Sequence, residues 1–187
     1  WKPIPNTEFT NAQGFRGTAD IAAANENKAI RILILGDSCS FLGRRLYANV
    51  LYEKLTRDFP GIRFEVINAS VPGYTSFQGR KRLEQLLEYR PHYACIYFGW
   101  NDHWILPSGY SDQFHYDLIH SFKLVQLTKI LWARLMDVRD YRVPLDDYEA
   151  NLAAMVEQLH ANRVIPVLIG APAGYAGKGM PRWAFQF

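Results

Sequence analysis

The stretch Arg31-Ile32-Leu33-Ile34-Leu35-Gly36-Asp37-Ser38-Cys39-Ser40 constrains this chain more than any other. A short apolar run that stops on a glycine, an acid and a hydroxyl, then gives way at once to a helical pattern, reads as a buried parallel strand entering a strand-to-helix turn. Open α/β sheets place their chemistry at that end of a strand. Ser38 then stands on the turn with its hydroxyl aimed into the crevice above the sheet. A hydroxyl there serves equally well as the N-cap of the following helix, and the local residues leave both roles open.

The rest of the chain repeats the pattern. Apolar runs at Ile30–Leu35, Arg63–Asn68, Tyr93–Phe98 and Val164–Ile169 predict four strands. Apolar residues spaced by three and four predict helices over Ser38–Phe59, 75–89, 112–137 and 145–162. The helix over 112–137 is expected to bury Phe114, Leu118, Ile119, Phe122, Leu127, Ile130, Leu131 and Leu135. Pro107–Ser111 reads as a loop. Strands alternating with helices predict an α/β fold, a parallel sheet with helices on both faces. Residues 1–29 read as an extended lead-in, with a helical turn near Ile21–Asn25, and residues 30–187 as one α/β domain.

At 187 residues the chain is large enough for one domain with a real core. Its formal charge is only +3, and its one basic triplet, Arg80-Lys81-Arg82, falls on a predicted helix as a solvated face. No nucleic-acid partner is expected. Cys39 and Cys95 make no disulfide framework and are expected to pack as small hydrophobes, although a helix N-terminus at Cys39 would lower its pKa. No apolar run reaches the ~20 residues of a membrane span, and no signal-peptide pattern opens the chain. The chain starts at Trp1 and ends at Phe187, as an excised domain would. The compartment is therefore left open, a periplasmic or membrane-anchored parent included.

Three strands end in small or polar residues: Gly36-Asp37-Ser38, then Asn68-Ala69-Ser70 with Gly73, then Gly99-Trp100-Asn101-Asp102. In a parallel sheet these ends share one edge, so the groups converge. Together they supply most of an acyl-transfer site. Ser38 is the nucleophile, while the Gly73 N–H, the Asn101 amide and the Ser38 N–H are oxyanion donors. Asp37 and Asp102 are supporting residues, Asp37 bracing the turn through its carboxylate.

These blocks resemble, in order and spacing, the first three sequence blocks of the SGNH, or GDSL, hydrolases. The segment Asn11-Ala12-Gln13-Gly14-Phe15-Arg16-Gly17 resembles a lead-in found in a bacterial subgroup. The resemblance implies a flavodoxin-like three-layer α/β/α sandwich and hydrolysis of esters or thioesters. It also implies Ser38 as nucleophile, with Gly73 and Asn101 in the oxyanion hole. The family's Asp and His come from a fourth block, Asp-x-x-His, after the last strand. Asp117-Leu118-Ile119-His120 has that separation, but it lies in a predicted helix between the third and fourth strands and reads as a chance match. The expectation is that the chain stops before the true block. These residues alone would then form a nearly inactive scaffold, and a longer parent would be an active serine esterase.

No metal and no cofactor are expected, because no His, Cys and carboxylate set has ligand spacing and no Gly-x-Gly-x-x-Gly follows the first strand. His103 is a candidate substrate contact or substitute base, or an incidental loop histidine with no third group to orient it, whereas His92, His115 and His160 read as surface or helix-face residues. Tyr74, Trp100, Trp104 and Tyr110 either pack the loops or, with His103, line a pocket for an acyl chain or sugar ring. The expected substrate is a small-molecule, lipid or carbohydrate ester. Two alternatives stand beside hydrolysis: a catalytically silent glycan- or acyl-binding domain, and a polysaccharide O-acyltransferase.

Overall fold

A computed structural model describes residues 3–25, 28–106 and 109–170. Four strands, β1 (Ile30–Gly36), β2 (Phe64–Asn68), β3 (Tyr93–Tyr97) and β4 (Ile165–Leu168), form one sheet in the order β2-β1-β3-β4, every pair parallel. The alternation of side chains along β1 explains the layers. Leu33 and Leu35 face one side, with Ile67, Ala94 and Ile96, under α3 (Ser76–Leu86) and α6 (Leu145–Ala161). Ile32 and Ile34 face the other, with Cys95, under α2 (Tyr47–Asp58). This is the expected three-layer α/β/α architecture. Truncating a wholly buried residue such as Leu33 or Leu35 to alanine costs about 2–5 kcal/mol at such sites.

The lead-in has no helical turn at Ile21–Asn25. It packs onto the sheet instead, with Phe15 in the core and the Arg16 N–H on the Asn68 carbonyl at 2.8 Å. Buried Arg31 ties it down, donating to the carbonyls of Ala22, Ala23 and Ala24.

Three helical expectations are corrected. The helix expected over Ser38–Phe59 is two, α1 (Ser38–Phe41) and α2, because Gly43 between them adopts φ 124°, which no helix accommodates. The helix expected over 112–137 is also two, α4 (Asp112–Ile119) and α5 (Lys123–Leu135). Their apolar residues do not form a buried face: Phe122 is 87% and Leu135 83% exposed, and Ile119, Leu127 and Leu131 are exposed as well. Periodicity reports which residues share a face, not what covers it. On the Leu33–Leu35 side of the sheet α3 and α6 already fill the layer. In α6, Leu145 is exposed at the first position, and Asn151, Met155 and Leu159 turn inward.

The basic triplet is only partly a solvated face: Lys81 is exposed, while Arg80 and Arg82 are half-buried and bonded within the fold. Arg82 donates to the Ala69 carbonyl at 2.8 Å and Arg80 to Asn151 Oδ1 at 3.1 Å, and the Lys81 ammonium sits 4.6 Å from the Tyr116 ring centre. His92 is exposed as expected, yet its Nδ1 accepts the Arg31 N–H at 3.0 Å. The expected loop at Pro107–Ser111 falls partly outside the described residues, and everything after Gly170 lies outside them. No helix of the described residues is long and apolar enough to cross a membrane.

Candidate active site

β1, β2 and β3 run parallel in register, so Gly36-Asp37-Ser38, Asn68 to Gly73 and Gly99 to Asp102 meet at one edge of the sheet. Gly36 is required there for space. A Cβ at that position would lie 2.6 Å from Ser40 Oγ and 2.7 Å from the Tyr97 carbonyl, inside any allowed contact.

The two readings of the first turn separate cleanly. Asp37, not Ser38, is the N-cap of α1: its Oδ1 accepts the Cys39 N–H at 2.8 Å. Ser38 takes the first helical position, half-buried, and its hydroxyl is released from capping. Asp37 itself is buried, and burial raises its carboxyl above the ordinary value in spite of the bonds it accepts.

Asn101 links the other two loops to this turn. Its Nδ2 donates to the Tyr74 carbonyl at 2.9 Å and, more weakly, to Asp37 Oδ2 at 3.4 Å. Gly73 stands on the intervening turn at φ 80°, a conformation that costs side-chain-bearing residues energy. Asp102 is turned inward, 4% exposed. Buried beneath the loop, its Oδ1 caps α3 by accepting the N–H and hydroxyl of Ser76, while Oδ2 accepts the Gly99 N–H at 3.2 Å. Desolvation raises its carboxyl too. Tyr148, from α6, donates to the Phe98 carbonyl at 3.1 Å, beside Gly99.

Of the aromatic candidates, Trp100, His103 and Trp104 remain together and exposed, with the imidazole edge-on to the Trp100 ring at 5.7 Å. His103 Nδ1 lies 3.1 Å from the Gly99 carbonyl. Tyr74 is only 5% exposed and packs in the core with Phe15 and Leu83, and it also lines a cavity with Gln13, Gln78 and Arg82. Tyr110 packs against Phe114 on α4, ring centres 4.6 Å apart. A cavity of about 910 Å³ opens along β2 between the lead-in and α2, and neither Ser38, Gly73 nor Asn101 lines it.

The cysteines depart from expectation. Cys95 is buried as a small hydrophobe, but Cys39 is exposed. Its thiol pKa is raised rather than lowered, by local desolvation first and by the Asp37 charge second. The backbone N–H at Cys39 and the Tyr97 hydroxyl favour the thiolate, but by less than desolvation and Asp37 oppose it.

Sequence reasoning missed several residues that shape the site. Thr75-Ser76-Phe77-Gln78 is a legible capping-box signal, and the Thr75 N–H does donate to Gln78 Oε1 at 3.0 Å. A second Asp-x-x-His, Asp112-Gln113-Phe114-His115, was also overlooked. The hydrogen bonds of neither carboxylate run to its histidine. Asp112 accepts from Thr75 and Arg142, and Asp117 accepts from Gln113. His120 Nδ1 lies 2.7 Å from the Tyr116 carbonyl, its ring over that of Tyr116. Arg142 meets the Gly73 turn, and nothing local in the sequence announces it. Among the described residues no group of three or more His, Cys, Asp or Glu could hold a metal ion.

Comparison with known proteins agrees with this architecture. A model of the GDSL-like Lipase/Acylhydrolase family matches residues 34–186. "Thioesterase 1/protease 1/lysophospholipase L1" of Escherichia coli K12 is 40% identical over 72 residues, 38% of this chain and 34% of that protein. The chain thus matches about a third of the length of that curated relative. Among solved structures, TesA has a TM-score of 0.50 at 23% identity, over 78% of this chain and 63% of the other. Axe2, an acetylxylan esterase from Geobacillus stearothermophilus, also has a TM-score of 0.50, at 20% identity, over 74% of this chain and 57% of the other. Those two likenesses are of fold. With four-fifths of its length matched by the family model and its three strand ends gathered at one edge, the chain belongs to the GDSL-like Lipase/Acylhydrolase family.

Proposed function

We propose that the strand-end site cleaves carboxylic esters through an acyl-enzyme on Ser38. The observation that carries this reading is the position of the Asn101 amide, shared between the Tyr74 carbonyl and the carboxylate of Asp37, the residue preceding Ser38. One amide hydrogen is held firmly on Tyr74. The other is held only by a long contact, which a developing oxyanion would outcompete.

In this reading Ser38 Oγ attacks the ester carbonyl and its proton passes to a base. The carbonyl oxygen becomes an oxyanion between the Asn101 amide, the Gly73 N–H and the Ser38 N–H. Collapse expels the alcohol and leaves the acyl group on Ser38, and water then releases the acid. Each oxyanion donor of this kind is worth about 3–4 kcal/mol of transition-state stabilisation. The base is a further group: Asp112 is committed to Thr75 and Arg142, and His120 Nδ1 is held on the Tyr116 carbonyl. The exposed Trp100, His103 and Trp104 cluster suits an acyl chain or a sugar ring, so the proposed substrates are acyl or acetyl esters of lipid or carbohydrate.

The test is a fluorophosphonate probe on the full-length protein, followed by peptide mapping and p-nitrophenyl ester hydrolysis. Labelling at Ser38, lost together with hydrolysis in Ser38→Ala, supports the reading. Labelling at another residue, or full hydrolysis by Ser38→Ala, overturns it.

A further inference from the structure

The two donor-bearing features of the oxyanion site, the Gly73 turn and the Asn101 loop, follow different strands, and one residue far along the chain joins them. Arg142 lies in the connection between α5 and α6. Its Nη1 donates to the Gly73 carbonyl at 3.0 Å. Its Nε and Nη2 form a forked pair with Asp112 Oδ1 and Oδ2, at 3.2 and 3.1 Å. Its backbone N–H donates to the Trp104 carbonyl at 2.7 Å, three residues beyond Asn101, and the next N–H, of Val143, donates to the Asp102 carbonyl at 3.0 Å.

The Asp112 end of this clamp is itself fixed. The carboxylate is almost wholly buried and also accepts the Thr75 hydroxyl at 2.7 Å. The Asp112 N–H returns to the Arg142 carbonyl at 2.7 Å. A forked guanidinium–carboxylate pair fixes direction as well as distance, so the remaining arm, Nη1, has little freedom in where it holds Gly73. A glycine at positive φ is the residue type with most backbone freedom. Its carbonyl is therefore the atom whose anchoring decides how the turn, and the N–H on its other side, are presented.

We infer that Arg142 is a positioning residue for ester cleavage, setting the Gly73 turn against the Asn101 loop so that both donors meet one oxyanion, with Asp112 as its orienter. This rests on the proposed role of Gly73 and Asn101. Arg142 touches no reacting atom, so its contribution falls on the transition state rather than on substrate binding. Displacement of a donor by about 1 Å costs on the order of a hundredfold in rate.

The experiment compares native full-length protein with Arg142→Lys, Arg142→Ala, Asn101→Ala and Ser38→Ala in p-nitrophenyl ester hydrolysis, with melting temperatures alongside. Lysine keeps the charge but cannot span Gly73 and both Asp112 oxygens. For Arg142→Lys the expected result is kcat lower by about tenfold to a hundredfold, KM within about threefold and a melted fraction at assay temperature unchanged. Millimolar guanidinium should restore part of the lost kcat to Arg142→Ala and none to Asn101→Ala. Native kcat in Arg142→Lys, a change confined to KM, or loss of rate tracking loss of folded protein without guanidinium rescue would each overturn the inference. Should Ser38→Ala stay active, the ester-cleavage reading itself fails. An inactive Ser38→Ala and a slowed Asn101→Ala beside a full-rate Arg142→Lys would discard Arg142 alone.

Discussion

The Asn101 side-chain amide donates to the main-chain carbonyl of Tyr74 at 2.9 Å, so the loop after β3 holds the residue next to Gly73. Asn101 is thereby both a donor in the proposed chemistry and a tether for the turn bearing the other donor. Asn101→Ala removes both functions. The expected loss in kcat is a hundredfold to a thousandfold or more, with about 1 kcal/mol of stability lost with the hydrogen bond. Steady-state kinetics and urea unfolding of the same variant measure the two effects separately. A loss below tenfold would contradict a donor role.

Asp37 makes stability depend on pH in a definite sense. Burial raises its carboxyl above the ordinary 3.8. The folded chain keeps this proton at pH values where the unfolded chain has released it. The group's contribution is therefore full below pH 3.8 and declines as pH rises from there through the raised folded value. Asp37→Asn retains a capping oxygen and has no proton to lose. The stability of the native protein relative to Asp37→Asn should fall across that window, measured by urea unfolding at pH 3.5, 5 and 7. A constant or rising difference would be the wrong sign.

Cys39 is exposed yet its thiol is disfavoured as a thiolate, by desolvation and then by the neighbouring Asp37 charge. Because the thiolate is the reactive form, iodoacetamide at pH 7.5 should alkylate Cys39 more slowly than free cysteine, and Asp37→Asn should speed the reaction. Mass spectrometry of timed samples reads both rates. Alkylation of native Cys39 faster than free cysteine would contradict the assignment.

Arg31 is a polar residue inside the sheet layer, and every arm of it is used. Nε pairs with Glu65 at 2.6 Å, and Nη1 donates to the Tyr89 carbonyl at 2.6 Å and that of Ala23 at 2.9 Å. Nη2 donates to the Ala22 carbonyl at 2.6 Å. Arg31→Leu leaves a carboxylate and several carbonyls without their partner, so it should cost about 3–5 kcal/mol. Limited proteolysis should then cut first within residues 17–25, which Arg31 holds. Urea unfolding within 1 kcal/mol of native would show the clamp to be dispensable.

The central strands β1 and β3 were legible because a parallel strand covered on both faces is apolar along its length, a property of a few consecutive residues; β4 has the same apolar run although Ile165, Val167 and Leu168 lie exposed. The polar residues after β1, β2 and β3 were legible for the same reason, since each marks where cover ends. Helix periodicity carried less. It found the inward residues Leu83, Leu86, Met155 and Leu159, but the same pattern in α4 and α5 gave residues that lie exposed. Cover is a property of neighbouring elements, and a helix pattern is silent about neighbours.

The sequence by itself determined the parallel α/β architecture, its three converging strand ends and the presence there of Ser38, Gly73 and Asn101. Tertiary structure alone decided how those residues are used. It gave the capping role to Asp37 and released Ser38, turned Tyr74 into the core, committed Asp112 to Arg142, and brought Arg142 onto Gly73 across 69 residues of chain. The physical reason is that a buried strand is recognised from its own residues. A hydrogen bond between two loops depends instead on sheet register and on which donor reaches a buried acceptor first.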